Sequence, residues 1–163
     1  MKAPAQHFCF LFRVAPILKS NRRLLYSPTF YGHQRPSGAK AIRQPLVAVV
    51  DDDESVRESL PDLLKGFGFA VVAFSSADEF LVSDSVDRTI CLVLDIAMPG
   101  MSGLDLQKEL TSRGYKIPIV FITAQRDEFI RKQVLEQGAV DILLKPFSDI
   151  ALREALSKAM GGN

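Results

Sequence analysis

One apolar run ends abruptly in a single carboxylate and then in a turn, and this stretch constrains the fold more than any other. It reads Cys91-Leu92-Val93-Leu94-Asp95 and continues as Ile96-Ala97-Met98-Pro99-Gly100. Consecutive apolar residues without polar alternation are typical of a strand covered on both faces, although so short a run also fits a buried helix. Pro99 and Gly100 favour the strand. We therefore expect a buried strand that delivers Asp95 to a surface.

The same pattern of an apolar run, a turn and a helical periodicity recurs along the chain. Further strands are predicted at 46–50, 69–74, 119–122 and 140–144. Helices are predicted after each strand. The first carries Pro61 and a possible kink, the second begins with the capping box Ser76-Ala77-Asp78-Glu79, and the third begins at Ser102. The fourth covers about 126–137 and ends at Gly138, and the last begins at Ser148.

Five strands that alternate with five helices predict an α/β fold with a doubly wound parallel sheet. Because crossovers between parallel strands are right-handed, few compact arrangements are possible, and we expect the strand order 2-1-3-4-5. Ligands bind such sheets at the carboxyl ends of the strands, beside the switch point between strands 1 and 3. The residues at those ends are Asp51, Asp52, Asp95, Thr123 and Lys145.

Three carboxylates at neighbouring strand ends repel one another unless a cation or shared protons neutralise them. Mg²⁺ suits such oxygen ligands, whereas no His or Cys lies near to suggest zinc. Lys145 can pair with Asp95 at rest and with a phosphoryl oxygen later, and Thr123 can hydrogen-bond a phosphoryl oxygen. These groups fit phosphoryl transfer to a carboxylate, with Asp95 as nucleophile. Each residue taken singly also has an ordinary role as a helix cap or a solvated charge; the signal is the combination.

Charge divides the 163 residues into two parts. Residues 1–45 hold eight Lys/Arg and no Asp or Glu, which leaves twelve Lys/Arg against nineteen acids in residues 46–163. We interpret 1–45 as a basic N-terminal extension, and a mobile tail is the favoured reading. The alternatives are a secretory signal, an organelle transit peptide, a basic arm that contacts anionic lipid or nucleic acid, or a true translation start that lies further along the chain. The apolar stretch 8–18 is broken by Arg13 and Pro16 and is too short for a membrane span. Cys9 and Cys91 form no disulfide or metal pattern, so reduced thiols and a cytoplasmic location are expected.

Residues 46–163 resemble a response-regulator receiver domain, the CheY-like fold of bacterial two-component signalling. The matching stretches are Val49-Val50-Asp51-Asp52, the ten residues from Leu94 to Gly103, Phe121-Ile122-Thr123-Ala124 and Lys145-Pro146-Phe147. The resemblance implies that Asp95 accepts phosphate from a sensor histidine kinase, and that Asp52, Asp95 and the Ala97 carbonyl hold Mg²⁺. It also implies that Asp51 acts mainly through metal-bound water, and that Thr123 and Lys145 contact the phosphoryl group.

The sequence from Met98 to Gly103 is most similar to that of nitrogen-fixation-type regulators, which carry a LuxR-type DNA-binding domain. We expect no such domain in this chain, because about a dozen residues follow Ser148. The family usually has Tyr or Phe three residues before the Lys, where this chain has Ile142. Because that aromatic swings inward in the family as the Thr moves, Ile142 puts the usual coupling in doubt while leaving phosphorylation intact.

The leading hypothesis is a single-domain receiver that is not an enzyme beyond its own phosphorylation and dephosphorylation. It would switch a face formed by the fourth helix, fifth strand and fifth helix toward a kinase, a phosphotransfer protein or a second copy, with no direct DNA binding by the receiver. A receiver fragment of a transcription regulator is one alternative. An aspartyl-phosphate phosphatase usually needs a second acid where Ala97 stands, and a flavodoxin-like electron carrier would have its flavin phosphate repelled by residues 51–54.

Overall fold

The computed structural model describes residues 44–161, which form a parallel sheet with helices on both faces. The strands are β1 (Leu46–Val50), β2 (Ala70–Phe74), β3 (Thr89–Asp95), β4 (Ile119–Thr123) and β5 (Asp141–Leu144). The helices are α1 (Glu54–Gly66), α2 (Ala77–Leu81), α3 (Gly103–Ser112), α4 (Glu128–Glu136) and α5 (Asp149–Ala159). Across 44–161, no helix is both long enough and apolar enough to cross a membrane.

The strands lie in the order β2-β1-β3-β4-β5, and all are parallel, which confirms the predicted doubly wound, flavodoxin-like arrangement. Val50 pairs with Leu94, so the next residues of β1 and β3, Asp51 and Asp95, emerge at the same edge of the sheet. The pairing of β1 with β3 is irregular near its start: Leu46 pairs with Thr89 and Val47 with Cys91. Ile90 therefore has no partner on β1, and it is 39% exposed.

The core consists of two layers, one on each face of the sheet. Val47 and Val49 of β1 pack with α1 and α5 on one face, whereas Ala48 and Val50 pack on the other face with α2, α3 and α4. Neighbouring residues of a strand point to opposite faces, and both faces here are covered. This is why the central strands are continuously apolar in sequence.

The helices begin at side-chain caps. Ser102 and Ser148 accept the expected backbone N–H bonds at the starts of α3 and α5. Asp53 also caps α1 by accepting from the Ser55 N–H. The capping box at α2 is only half formed: Ser76 accepts from the Glu79 N–H, but the Glu79 carboxylate accepts from the N–H and hydroxyl of Ser75.

Several boundaries differ from the prediction by one to a few residues. Strand β2 begins at Ala70 rather than 69, α4 begins at Glu128 rather than about 126, and β5 begins at Asp141 rather than 140. A short 3-10 helix, Val86–Arg88, was not predicted and leads directly into β3. Helix α1 continues through Pro61. The predicted extension lies outside the described residues, apart from its last two positions.

Candidate functional site

The three predicted acids meet at the carboxyl edge of the sheet. Asp51 follows β1 and is fully buried, Asp95 ends β3 and is 5% exposed, and Asp52 is exposed. Each contributes a carboxylate oxygen to a group whose members lie within 4.8 Å of one another. The cluster follows from topology, because β1 and β3 are neighbours at the point where the strand order reverses.

Lys145 follows β5 and bridges two of these acids. Its Nζ lies 2.6 Å from Asp51 Oδ2 and 2.9 Å from Asp95 Oδ1. The sequence predicted the pairing with Asp95, but it did not predict the shorter contact to Asp51. The Lys145 backbone N–H also donates to the Thr123 carbonyl at 2.7 Å, and the Lys145–Pro146 peptide is cis.

Asp51 is buried, and both of its carboxylate oxygens accept hydrogen bonds within the protein. Its Oδ1 accepts from the Asp53 N–H at 2.9 Å, while its Oδ2 accepts from Lys145. The guanidinium of Arg57, in the first turns of α1, donates to the Asp51 carbonyl at 2.8 Å. Sequence reasoning missed Arg57, because a single Arg in a helix carries no signal that its side chain reaches back to the strand end.

The second oxygen of Asp95 is fixed by the backbone that follows it. Its Oδ2 accepts from the Ala97 N–H at 2.9 Å, and Ala97 is exposed at the edge of the site. The chain then turns through Pro99 and Gly100, which has a φ of +75°, a conformation that glycine adopts readily. The Asp95 side chain is thereby aimed between Lys145 on one side and the start of the turn on the other.

Gly103 is required for this turn to pack against β3. A Cβ at Gly103 would collide with the backbone carbonyl oxygen of Asp95 and would lie 3.1 Å from the Ile96 Cα. The Gly103 N–H donates to the Ile96 carbonyl at 3.0 Å. The sequence placed Gly103 in a motif, but this close approach of two backbones is visible only in the fold.

Thr123 ends β4 and is buried, and β4 lies next to β3, the strand that ends in Asp95. Its hydroxyl oxygen accepts from the Gln125 N–H at 3.0 Å, which leaves the hydroxyl proton available for another acceptor. Thr123 pairs in register with Leu144 of β5, the residue before Lys145. The two predicted phosphoryl contacts thus lie on adjoining strand ends.

The charges of the site perturb one another. Burial raises the pKa of Asp95, and this effect outweighs the opposing hydrogen bond and positive charge of Lys145. Burial alone would lower the pKa of Lys145, but hydrogen bonds and negative charges of Asp51 and Asp95 raise it overall. Lys145 is therefore charged at neutral pH, and it offsets only part of the negative charge of three clustered acids.

The donor set fits a hard divalent cation. Three carboxylates converge around the ammonium group of Lys145, and the exposed Asp52 leaves a side open to solvent. Oxygen ligands of this kind, with room for water, suit Mg²⁺.

The sequence of this domain matches a known family. A family model for the response regulator receiver domain matches residues 47–157. The chain belongs to the response regulator receiver family.

Named relatives of this receiver domain are regulators of bacterial signalling. Nodulation protein W of Bradyrhizobium diazoefficiens is 47% identical over 120 residues, which are 74% of this chain and 53% of that protein. The transcriptional regulatory protein FixJ of Azorhizobium caulinodans is 42% identical over 116 residues, 71% of this chain and 54% of that protein. The chain spans about half the length of the curated relatives it matches.

Solved receiver structures share the fold. The response regulator StyR superposes with a TM-score of 0.67 at 46% identity, over 72% of this chain and 60% of that one. The structure of FixJ-N gives 0.66 at 35% identity, over 75% of this chain and 98% of that one. Receiver domains bind Mg²⁺ at an acidic pocket and interact with histidine kinases or phosphotransfer proteins, and this receiver domain has the acidic cluster.

Ile142 occupies the position noted as a departure from the family. It is 5% exposed, and the guanidinium of Arg131 in α4 donates to its carbonyl at 3.3 Å. A cavity of about 260 Å³ lies beside it, lined also by Thr123 and Leu144. Space therefore remains between α4 and β5 next to the smaller side chain.

Proposed function

We propose that this receiver domain accepts a phosphoryl group on Asp95 from a sensor histidine kinase or a phosphotransfer protein. The observation that carries the proposal is the Asp95 carboxylate itself, which ends a buried strand with Lys145 on one oxygen and the Ala97 N–H on the other. The carboxylate would attack phosphorus as the bond to the leaving group breaks, and the leaving group would keep that electron pair.

Asp51, Asp52, Asp95 and the Ala97 carbonyl would hold Mg²⁺. The ion supplies neutralisation of negative charge where the phosphoryl oxygens gather. Asp51 fits a role through bound water, because both of its carboxylate oxygens already accept hydrogen bonds within the protein.

Lys145 and Thr123 would receive the charge added at Asp95. The Lys145 ammonium can exchange a carboxylate partner for a phosphoryl oxygen, and the Thr123 hydroxyl can donate to another. Turnover of an external substrate is not proposed: a phosphatase of related fold uses an acid two residues after the nucleophile, and Ala97 provides none.

The signal would be read on the face formed by α4, β5 and α5. Phe129 of α4 is 76% exposed and Ile150 of α5 is 69% exposed, which gives this face apolar anchors. Lys158 of α5 bonds Asp141 of β5 at 2.7 Å, and Arg131 of α4 donates to the Ile142 carbonyl of β5 at 3.3 Å, so α4 and α5 are each connected to β5. A second copy of the chain is one candidate partner for this face. The readout would proceed without an aromatic at 142, through the packing of α4 over β5.

Family membership supports a cytoplasmic location and a place in two-component signalling. A receiver domain that belongs to a transcription regulator is the second candidate, favoured by relatives about twice as long as the segment that they share with this chain. The receiver itself is not proposed to bind DNA.

The test is direct phosphorylation. The full chain is incubated with acetyl phosphate and Mg²⁺, and intact mass is followed with and without a chelator. We expect one phosphoryl group that survives acid and is lost in base, and that requires Mg²⁺. Failure of the wild-type chain to gain it would overturn the proposal.

Two variants locate the group. Asp95→Asn should gain nothing, whereas Asp53→Asn should be phosphorylated like the wild type, because Asp53 is an exposed cap outside the cluster and Asn caps helices equally well. Equal labelling of Asp95→Asn would place the phosphoryl group elsewhere and refute the assignment.

A further inference from the structure

Lys145 and Arg57 both contact Asp51, but they do so through different atoms. Lys145 Nζ bonds the carboxylate oxygen Oδ2 at 2.6 Å, whereas Arg57 Nη1 donates to the backbone carbonyl oxygen at 2.8 Å. Within residues 44–161 the guanidinium of Arg57 forms no salt bridge. Arg57 is therefore held by a backbone oxygen at the end of β1 rather than by an acid.

The carbonyl that Arg57 holds belongs to the peptide group that joins Asp51 to Asp52. A peptide group is planar, so the direction of this oxygen sets the direction in which the chain continues to the Asp52 Cα. Asp52 is exposed, and its carboxylate forms no salt bridge in the part of the chain that the structure describes. The place of Asp52 in the acidic cluster therefore depends on the backbone that carries it.

Hydrogen bonds also hold the residues on either side of this peptide group. The Asp51 N–H donates to the Phe74 carbonyl at 3.1 Å, and the Asp53 N–H donates to Asp51 Oδ1 at 2.9 Å. The Arg57 bond is the anchor between them, and its donor is charged, which makes such a bond stronger than a neutral one. Without it, the Asp51–Asp52 peptide loses the bond that sets its orientation.

We propose that Arg57 is a positioning residue, which acts through the Asp51 carbonyl to hold Asp52 where its carboxylate can bind Mg²⁺. The inference rests on the proposed function, because it takes Asp52 as a metal ligand. Positioning and charge have opposite effects here. The positive charge of Arg57 repels a divalent cation, so its removal would tighten Mg²⁺ binding if charge alone mattered, and would weaken it if Arg57 positions Asp52.

The test is Arg57→Met in the full chain, which removes the charge and the donor. Met is a good helix former and Arg57 is only partly buried, so the variant should fold. MgCl₂ is titrated into the ¹⁵N-labelled chain, and the backbone amide shift of Ala97 is followed. We expect about tenfold weaker binding than in the wild type, which corresponds to about 1.4 kcal/mol and to one hydrogen bond from a charged group. Equal or tighter binding would overturn the inference.

Arg153→Met is the matched control. The Arg153 guanidinium lies 4.4 Å from the centroid of the Phe67 ring, and the substitution removes the same charge from a residue that does not contact the acids. It should bind Mg²⁺ like the wild type. A loss of affinity as large as that in Arg57→Met would mean that the Asp51 carbonyl contact is not the cause, and would overturn the inference.

Phosphorylation by acetyl phosphate gives a second readout. The Mg²⁺ concentration for half-maximal labelling should rise about tenfold in Arg57→Met, while labelling at saturating Mg²⁺ should approach that of the wild type. A general structural defect would instead lower labelling at every Mg²⁺ concentration, and that result would contradict the positioning role. If the wild type binds Mg²⁺ but gains no phosphoryl group, the proposed function fails, and the two Mg²⁺ affinities still decide the role of Arg57.

Discussion

Replacing Lys145 by Met removes the cation that, among the residues that the structure describes, alone contacts the carboxylates of Asp51 and Asp95. Lys145 Nζ is bonded to Asp51 and Asp95, whose side chains are 1% and 7% exposed, and its own side chain is 21% exposed. Met fills a similar volume without charge. The two carboxylates are then left facing each other in a poorly solvated site, and we expect the free energy of unfolding without metal to fall.

Three arguments set the magnitude. Two unit charges at the 4.8 Å limit of the cluster repel by roughly 3 kcal/mol at an effective dielectric constant of about 20. Protonating one carboxylate at pH 7 would relieve this repulsion at a cost of about 4 kcal/mol, which caps the loss. Breaking one side of a buried ion pair typically costs about 3–5 kcal/mol. We therefore expect a loss of about 3 kcal/mol at pH 7.

The loss should shrink as the pH falls. The pKa of Asp95 is already raised by burial in the wild type, and removing Lys145 removes an influence that lowers it. The native variant then holds a proton at pH values where the unfolded chain has released it. The native state thus gains relative to the unfolded one as the pH falls from 7 toward 5. Bound Mg²⁺ should also restore stability, since it binds the native site.

Urea unfolding followed by far-ultraviolet circular dichroism measures this, because the chain has no Trp for fluorescence. The series runs at pH 7 and pH 5, with EDTA or with Mg²⁺. Lys65→Met is the matched control: Lys65 bonds Asp62 and their side chains are 57% and 81% exposed, so its loss should matter little and respond weakly to pH. A Lys145→Met chain as stable as the wild type in EDTA, or a loss that is the same at both pH values, would refute the reasoning.

Three further predictions concern single residues. Asp52→Asn should leave metal-free stability equal or higher, because it removes one of three repelling charges, and should abolish the rise of the melting temperature with Mg²⁺; a retained rise would contradict its role as ligand. Gly103→Ala should lower the free energy of unfolding in urea by about 3 kcal/mol, because its Cβ meets the Asp95 backbone. Gly66→Ala, whose Cβ meets nothing within 4 Å, should raise it by about 0.5 kcal/mol, and similar effects of the two substitutions would refute the contact. Burial raises the pKa of Cys91 to about 12, so between pH 9 and 12 the unfolded chain loses this proton first, and the wild type should lose stability relative to Cys91→Ala by up to about 1.4 kcal/mol per pH unit; parallel curves would contradict it.

The sequence determines the site more fully than it determines the details of its support. Asp51 and Asp95 could be placed together because each follows an apolar run, and parallel strands end at one edge. The bridge from Lys145 to Asp51 and the reach of Arg57 depend on distances between chain segments far apart in sequence, which no local pattern encodes. Gly103 shows the same limit. That a side chain cannot fit at this position is apparent only from the folded structure, in which the Asp95 backbone lies against Gly103.

Ile142 connects the site to its proposed readout. On β5 it pairs in register with Phe121, and together with Thr123 and residues of α4 it lines a cavity of about 260 Å³. An aromatic would fill that space and make the position of α4 depend on its ring. With Ile142, α4 is instead held by the Arg131 bond to β5 at one end and by the Gln107 bond to Gln137 at the other. Phosphorylation at Asp95 can bias α4 only through differences in these contacts between the two states, which makes Arg131 and Gln107 the residues where loss of coupling should appear without loss of phosphorylation.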